Sequence, residues 1–486
     1  MQSESRGLGG WHGQTALSFA RALALVVVAS ARADIIPDAP PPPYHFTAEE
    51  EALLDSIQRG CFNYFWREVG SPSCLAKDRK NGPVASIAAV GFQLSSLPIG
   101  VERGWITRQQ GAERARTVLH ALIDRADNKK CGLYYHFPDL DTGGPSHHGY
   151  ETVVSTIDSA LLIAGAIPAA EYFGGEVAEL TRRLVADADW KAFASLEKGG
   201  LLSMGWRCKD PNQPTGAGEF LTYYWDHAGD EQRLIYFLAA AAPNPDHAVA
   251  PELYYNIRRA VKRHADMPEY VVTWNGTLFT YFFAHCWIDY GRLGTDDPSR
   301  FSVTPSPSQG EGRGEGLRVD WCENSRRAVL TQRQRCLEMR ARFKSFAEDR
   351  WGLSACDGKT GYIVPAVRPN ISEEENWHDG TIAPYAAGSA IMFTPRESLA
   401  ALRAFRALKD DQGRPLIWRD PEQGGYGFAD SFSLDLNWVS SDNIGIDVGP
   451  LLVAIENART GLIWKLFMQS QTAKVALMRL RLPSAR

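Results

Sequence analysis

Residues 151–165 read ETVVSTIDSALLIAG, and this stretch indicates the fold class more clearly than any other part of the chain. The apolar residues of one face recur at helical spacing, namely Val154, Ile157, Leu161 and Ala164. Beyond Asp158 the segment is apolar nearly all round, which is typical of a helix buried inside a protein and not of a surface helix. The stretch therefore predicts a buried helix that carries carboxylates at its beginning.

Helical patterns continue along most of the chain. A capping box at Thr47-Ala-Glu-Glu predicts a helix from residue 47 to about Glu68. Further helical patterns lie near residues 107–126, 151–171, 174–195, 230–241, 249–265, 277–290, 323–347, 395–408 and 450–468. Strand patterns are few and short, such as residues 132–137 and 361–367. Helices that alternate with long polar loops predict an all-α toroid of paired helices, with a cleft formed by the loops at one end.

The composition is that of an ordinary globular protein with an unusual number of aromatic side chains. The chain has 486 residues, a formal net charge of -5, 14 tryptophans and 17 tyrosines. An acidic chain without clustered Lys and Arg argues against a nucleic-acid partner. Amphipathic rings suit a pocket that stacks on flat ligands and hydrogen-bonds their rims, although simple core filling explains them as well.

The two ends of the chain and one internal stretch differ from the rest. Residues 1–33 resemble a signal peptide, with an apolar run at 22–29 and an Ala31-Arg32-Ala33 cleavage pattern. Residues 34–46 form a proline-rich spacer, and residues 474–486 form a basic tail. Between them, residues 47–473 are predicted to be one domain, interrupted by a low-complexity insertion at 294–316. We expect an exported monomer, periplasmic or secreted, without a membrane segment after signal removal.

The sequence lacks the short motifs of several enzyme classes. It contains no Gx4GK[ST], HExxH or GxSxG pattern, which leaves phosphate loops, zinc proteases and serine-hydrolase elbows unsupported. The group His147-His148-x-x-Glu151 resembles metal ligands, but adjacent histidines point to different faces of a helix and no third ligand is evident. The sequence therefore predicts neither a metal nor a cofactor.

The first group of candidate catalytic residues lies in the opening stretch. Glu151, Ser155 and Asp158 are spaced i, i+4 and i+7, so a helix would place them on one face. Acids on a buried helix must meet partners or line a wet cavity. The alternative is that they serve as caps or structural ion pairs.

A second group lies at residues 223–231, which read YYWDHAGDE and open an apolar helix. Tyr224 and Trp225 suit sugar stacking, and Glu231 suits a proton donor. The alternative is that Asp230 caps the helix and Glu231 favours its dipole. A helix N-terminus lowers a carboxyl pKa, whereas a general acid needs a raised pKa, so nearby carboxylates would have to supply the difference.

A third group lies at residues 437–450, which read NWVSSDNIGIDVGP. Pro450 fits the first position of the following helix, which places Asp447 just ahead of a helix N-terminus. Its ionised form would be favoured there, as a general base requires, although plain capping is an equal alternative. Asp442 and Trp438 lie in the same stretch. Polar and aromatic groups that could bind substrate also occur elsewhere, at His285, Trp377 and Asp379, although packing is the alternative for each.

Several segments together resemble a known family, the bacterial glucoamylase-like domain that includes the endo-β-1,2-glucanases of glycoside hydrolase family 144. They are STIDSALL at 155–162, GDE at 229–231, NSRRA at 324–328, DGTIAP at 379–384 and GPLLVAIENARTGLIW at 449–464. The resemblance covers roughly residues 45 to 475 in matching order. The chain departs from the family in the insertion at 294–316 and in Gln232 and Arg233, which follow the GDE motif.

The resemblance implies an (α/α)6 toroid and metal-free, inverting hydrolysis of β-1,2-glucan inside the chain to short sophoro-oligosaccharides. Glu231 falls at the position of the family's proposed general acid. Glu151 and Asp158 fall where the family has essential acids, and Asp442 or Asp447 matches its essential C-terminal aspartate. Two alternatives remain: a transglycosylase that cyclises β-1,2-glucan, and a non-catalytic glycan-binding protein of the envelope.

Overall fold

A computed structural model of the protein describes residues 34–37, 44–146, 153–301 and 317–483. Helices account for most of the regular structure in these residues. They are α1 (Ala48–Arg67), α2 (Ile87–Glu102), α3 (Arg108–Ile123), α4 (Thr156–Phe173), α5 (Gly175–Asp187), α6 (Asp230–Ala240), α7 (Leu253–Asn256), α8 (Tyr290–Leu293), α9 (Trp321–Glu338), α10 (Pro384–Ser389), α11 (Pro395–Ala407), α12 (Gly445–Thr460), α13 (Leu462–Gln469) and α14 (Gln471–Arg479).

The strands are short and lie in the loops between helices. They are β1 (Lys129–Lys130), β2 (Leu133–Tyr134), β3 (Val153–Ser155), β4 (Gly205–Cys208), β5 (Gly218–Phe220), β6 (Val261–Lys262), β7 (Tyr270–Val271), β8 (Thr295–Asp296), β9 (Val319–Asp320), β10 (Cys356–Gly358), β11 (Gly361–Ile363), β12 (Trp418–Arg419), β13 (Gly427–Phe428), β14 (Phe432–Ser433) and β15 (Trp438–Val439). All pair in antiparallel fashion, β3–β4–β5 as three strands and the others as two-stranded ribbons. The predicted all-α class is confirmed.

The inner wall of the domain is a closed ring of helices. Helix α2 packs against α4, α4 against α6, and α6 against the 3₁₀ turns Leu278–Tyr281 and Ala284–Cys286. The second turn contacts α12, which also packs against α10 and α2 and so closes the ring. At the tightest contact, a Cβ on Gly165 would lie 1.8 Å from the carbonyl oxygen of Gly91, so only glycine allows α2 and α4 to approach this closely.

A second set of helices packs outside this ring. Helix α1 lies behind α12, α3 and α5 lie behind α2 and α4, α9 behind the 3₁₀ turns, and α11 behind α10. The outer helices are amphipathic, whereas α2, α4 and α12 are buried over most of their circumference because neighbours surround them. The predicted toroid of paired helices is therefore confirmed, and the capping box at Thr47 and Glu50 forms as expected.

Three helix predictions need correction. Helix α2 has no counterpart among the predicted segments, because burial on every side leaves it without an amphipathic stripe. Residues 249–265 form only the short α7 followed by β6, since Arg258 donates its backbone N–H to Asp226 and Val261 pairs with Val271. Residues 277–290 form 3₁₀ turns in place of one continuous helix.

Three predicted domain boundaries are also wrong. Ile35, placed in the spacer, is buried and bridges to Val319. Residues 294–301, placed in the insertion, include β8, where the buried Asp296 carboxylate pairs with Arg259 at 2.8 Å. Part of the basic tail forms α14, which packs against α6. Local composition set these three segments apart from the domain, whereas buried side chains attach them to it.

The remaining boundary predictions fall outside the described residues. These are the signal peptide at 1–33, most of the proline run at 37–43, and residues 302–316 of the insertion. In the part of the chain that the structure describes, no helix is both long and apolar enough to cross a lipid bilayer.

Candidate active site

The first turns of the inner helices meet at one end of the ring, around a cavity of about 560 Å³. Each helix contributes to the wall near its N-terminus, α2 through its cap Ser86 and α4 through Ile157 and Asp158. Helix α6 contributes Glu231, α10 contributes Tyr385, and α12 contributes Asp447. The N-terminus of each helix is the positive end of its macrodipole. Helix N-termini that converge on one cavity therefore favour acidic side chains in its wall. Residues that were far apart in the sequence thus share one hollow.

Asp158 lies on the cavity wall in the first turn of α4. Ser155 caps this helix and accepts a hydrogen bond from the Asp158 backbone N–H. The Asp158 carboxylate is 3.3 Å from Nε2 of His136, whose half-exposed ring stacks on Phe137 at 3.8 Å between centroids. The predicted sharing of one helical face by residues 151, 155 and 158 is wrong, because Val153–Ser155 is strand β3 and the helix begins only at Thr156.

Glu231 lies at the second position of α6, directly after the buried Asp230. Burial raises the pKa of Glu231 to about 8, and the negative charge of Asp158 contributes in the same direction. These two effects outweigh the helix dipole, which would lower the pKa. A carboxyl in this state keeps its proton at neutral pH, as a general acid must.

Asp230 has a structural role beside it. Its carboxylate is fully buried, pairs with Arg233 and accepts backbone N–H groups from Ala284 at 2.9 Å and His285 at 3.4 Å. The Arg233 guanidinium lies over the Trp321 ring at 3.8 Å. Asp230 of the GDE motif and Arg233, which follows it, therefore form a buried ion pair. They lock the start of α6, and with it Glu231, against the neighbouring 3₁₀ turn.

Asp447 faces the cavity from α12, but its surroundings differ from those predicted. The helix begins at Gly445, so Pro450 lies inside it and Asp447 occupies the first turn. Burial raises the pKa of Asp447 well above its ordinary value, and the adjacent carboxyl of Asp430 raises it further. The prediction that the helix N-terminus favours the ionised form is therefore wrong, because desolvation and a like charge outweigh the dipole.

Asp442 lies close by without lining the cavity. Its carboxylate accepts the backbone N–H of Asn81 at 3.0 Å and is 3.7 Å from the guanidinium of Arg79. Arg79, which does line the cavity, is also 3.4 Å from Asp78 and 3.5 Å from Asp357. One arginine thus holds three carboxylates together and fixes the loop that leads into α12.

Three of the predicted binding residues lie in the packed interior. Nε1 of Trp225 donates to Thr156 Oγ1 at 2.8 Å, and Trp377 packs against Phe346. His285 is 1% exposed, with Nε2 at 3.0 Å from Ser325 Oγ. Burial together with the Arg233 charge lowers the pKa of His285 well below its ordinary value. The prediction that these three side chains contact substrate was wrong, because the closed ring of helices packs all three into the core.

The other predicted binding residues lie outside the cavity wall. Tyr224 is half-buried near Lys198, and Trp438 pairs with Ser433 in the β14–β15 ribbon. Asp379 is exposed, and its backbone oxygen accepts the Ser433 hydroxyl. Glu151, His147 and His148 lie outside the described residues. Among residues 34–37, 44–146, 153–301 and 317–483, no three His, Cys, Asp or Glu side chains are grouped as metal ligands would be.

Several cavity residues had not been found from the sequence. They are Asp78, Arg79, His136, Tyr362 and Tyr385, together with Asp430 behind Asp447. Two of them adjoin segments that had been noticed: His136 lies in the strand pattern at 132–137, and Tyr385 directly follows the motif at 379–384. Tyr362, 49% exposed on the β10–β11 ribbon, offers an accessible ring at the cavity.

Comparison with known proteins identifies the family of the chain. The family model Glycoamylase, described as "Putative glucoamylase", matches residues 222–471. The chain belongs to this family.

A curated relative is the exo-β-1,2-glucooligosaccharide sophorohydrolase (non-reducing end) of Parabacteroides distasonis. It is 28% identical over 456 residues, which make up 86% of the present chain and 56% of the relative. The chain therefore spans little more than half the length of that protein.

Solved structures share the fold. One of them is a protein from Bacteroides caccae described as a "putative glucoamylase". It is 27% identical with a TM-score of 0.72 over 90% of this chain and 100% of that chain. The endo-β-1,2-glucanase of Chitinophaga pinensis, in complex with sophorotriose and glucose, is 24% identical with a TM-score of 0.72 over 90% of this chain and 98% of that chain.

Proposed function

We propose that the protein is a glycoside hydrolase that cleaves β-1,2-glucan within the chain in an inverting, single-displacement reaction. One observation carries the proposal: the same 560 Å³ cavity is lined by Glu231, whose pKa of about 8 keeps it protonated, and by the carboxyl of Asp447. A proton donor and a second carboxyl in one cavity are the two groups that glycoside hydrolysis requires. The β-1,2-glucan activities of the relatives from P. distasonis and C. pinensis support this linkage.

In this reaction the Glu231 carboxyl donates its proton to the glycosidic oxygen as the bond to the anomeric carbon breaks. Asp447 takes a proton from the water that attacks the opposite face of the sugar. Inversion requires the two carboxyls to stand about 6.5–9.5 Å apart, which leaves room for that water. The half-exposed ring of Tyr362 is placed to stack on a sugar at the cavity.

The test is a screen of linear glucans of different linkage, read as reducing sugar released over time. We expect release from β-1,2-glucan well above release from β-1,3- and β-1,4-glucans. NMR of the first product then gives its anomer, which should be α for an inverting enzyme acting on a β-linkage. No new reducing ends from any glucan would contradict hydrolysis, and rings or lengthened chains would indicate transfer in its place.

The size of the products distinguishes two modes of attack. Internal cleavage gives a range of sophoro-oligosaccharides early in the reaction, whereas release of sophorose alone would match the exo activity of the P. distasonis relative. Chromatography of the early products therefore decides between them.

Export of the protein is a further part of the proposal. The apolar run at 22–29 and the Ala31-Arg32-Ala33 pattern support cleavage ahead of Asp34. Such cleavage would leave Ile35, whose side chain is buried in the domain, in place. N-terminal sequencing of protein recovered from outside the cytoplasm should begin at Asp34, and recovery of uncleaved chain in the cytoplasm alone would contradict export.

A further inference from the structure

Two buried carboxyls meet behind the wall of the cavity. Asp447 lies in the first turn of α12 and is 2% exposed, and Asp430 lies between β13 and β14 and is 5% exposed. The two side chains are within hydrogen-bonding contact of each other. Only Asp447 of the two lines the cavity.

The carboxylate oxygens of Asp430 and Asp447 differ in whether they have a hydrogen-bond partner. Asp430 Oδ2 accepts the backbone N–H of Asp357 at 2.7 Å. In contrast, Asp430 Oδ1 and Asp447 Oδ2 are both buried without a hydrogen-bond partner among the described residues. Two ionised carboxylates can only accept and cannot bond to each other, whereas one proton turns one of these oxygens into a donor. A single proton on either carboxyl would therefore supply the donor that two ionised carboxylates lack.

Among the described residues, the positive charge near the two carboxyls is shared with other acids. The groups that face the two carboxyls are Asp78, Arg79, Cys356, Asp357, Tyr362 and Tyr385. Arg79 is the cation among them, and it already lies within 4 Å of Asp78, Asp357 and Asp442. Burial accordingly raises the pKa of both carboxyls, that of Asp430 to about 7, and the neighbouring Asp430 carboxyl adds to the rise at Asp447.

We propose that Asp430 is a positioning residue which shares one proton with Asp447, so that the base of the reaction is a carboxyl pair with a single negative charge. This inference rests on the proposed hydrolase function for its role in catalysis. When the shared proton sits on Asp430, Asp447 is the ionised member and presents an oxygen to water in the cavity.

The proton balance of the step follows directly. The water oxygen forms a bond to the anomeric carbon, and the water proton goes to Asp447, which leaves the pair neutral. The bond to the leaving oxygen breaks, and that oxygen receives the proton of Glu231. Exchange with solvent then returns one proton to Glu231 and removes one from the pair.

The first test counts charge and does not depend on activity. At pH 8, where ordinary carboxyls are ionised and which lies above the pKa of about 7 of Asp430, Asp→Asn at an exposed site raises the net charge of the protein by one unit. Asp411→Asn, on the surface, is the matched control. We expect Asp430→Asn to leave the net charge unchanged in capillary electrophoresis, and Asp430→Asn with Asp447→Asn to raise it by one unit only. A one-unit rise in the single variant, or a change of zero or two units in the double variant, would overturn the proposal.

The second test measures whether Asp430 acts through Asp447. Asparagine still donates a hydrogen bond to Asp447, whereas alanine leaves it without a donor. We expect Asp430→Ala to lower kcat at least tenfold and to move the acid limb of the pH profile upward, because hydrogen bonds to charged groups are the stronger ones. Asp430→Asn should retain most of the activity. Equal kcat values and equal acid limbs for both variants, with thermal unfolding checked in each, would contradict a positioning role.

Discussion

The protonated state of Glu231 yields the most direct prediction. With a pKa of about 8, roughly nine-tenths of the molecules carry the proton at pH 7. At the ordinary value of 4.5, only about one molecule in 300 would carry it at that pH. Glu231→Gln removes the transferable proton but keeps the size of the side chain. We expect it to lower kcat by ~10²–10⁴-fold on β-1,2-glucan, the usual contribution of acid–base assistance.

The same substitution changes how stability depends on pH. The folded pKa of Glu231 is raised above its unfolded value, so its contribution to stability is fully present below about pH 4.5 and is lost as pH rises through about 8. Glutamine does not ionise and escapes this loss. The variant should therefore gain stability relative to wild type as pH increases across this window, which thermal unfolding at several pH values measures.

The assay combines kcat/KM against pH with Tm against pH, for wild type and variant. Wild-type kcat/KM should fall above about pH 8 as the acid loses its proton. Glu422→Gln is the matched control, because Glu422 is exposed and lies outside the cavity. It should leave the kinetic profile and the pH dependence of Tm unchanged.

Two results would refute the reasoning. Near-full activity of Glu231→Gln would exclude it as the acid. A difference in Tm between variant and wild type that stays constant from pH 5 to pH 9 would show that the carboxyl titrates normally in the folded protein.

Three further predictions test the site and the fold. Asp158→Asn should lower the pKa of Glu231, because the charge of Asp158 helps to raise it, and the alkaline limb of kcat/KM should move to lower pH; an unmoved limb would exclude the coupling. Gly165→Ala should lower the free energy of unfolding by about 1–3 kcal/mol or more in urea, since its Cβ would overlap the Gly91 backbone, and an unchanged midpoint would contradict the close packing of α2 and α4. Truncation after Ser470 should cost about 2 kcal/mol or more, because it removes the buried Leu480 and the hydrogen bond that Arg479 donates to the Ala240 carbonyl of α6; wild-type stability of the truncated protein would contradict this contribution of α14.

The fold class could be read from the sequence because helical periodicity is a local property. Helices α1, α3 and α11 carry an amphipathic stripe or a cap, and each was predicted close to its observed bounds. Helix α2 was missed for the opposite reason, since surroundings that bury it on all sides leave no polar face to reveal the period. The segment 249–265 was misassigned because bonds to distant loops replaced its local helical bonds.

For the site, the sequence by itself indicated that Asp158, Glu231 and Asp447 lie in or beside apolar helices, because apolar runs are local patterns. It placed only the start of α6 correctly, and the observed starts of α4 and α12 differ from the predicted ones by several residues. Only the tertiary structure decided their protonation and their partners. The pKa of a carboxyl depends on burial and on charges brought from elsewhere in the chain, such as Asp158 beside Glu231 and Asp430 beside Asp447. These distances are set by how the ring of helices closes, and no local pattern records that closure.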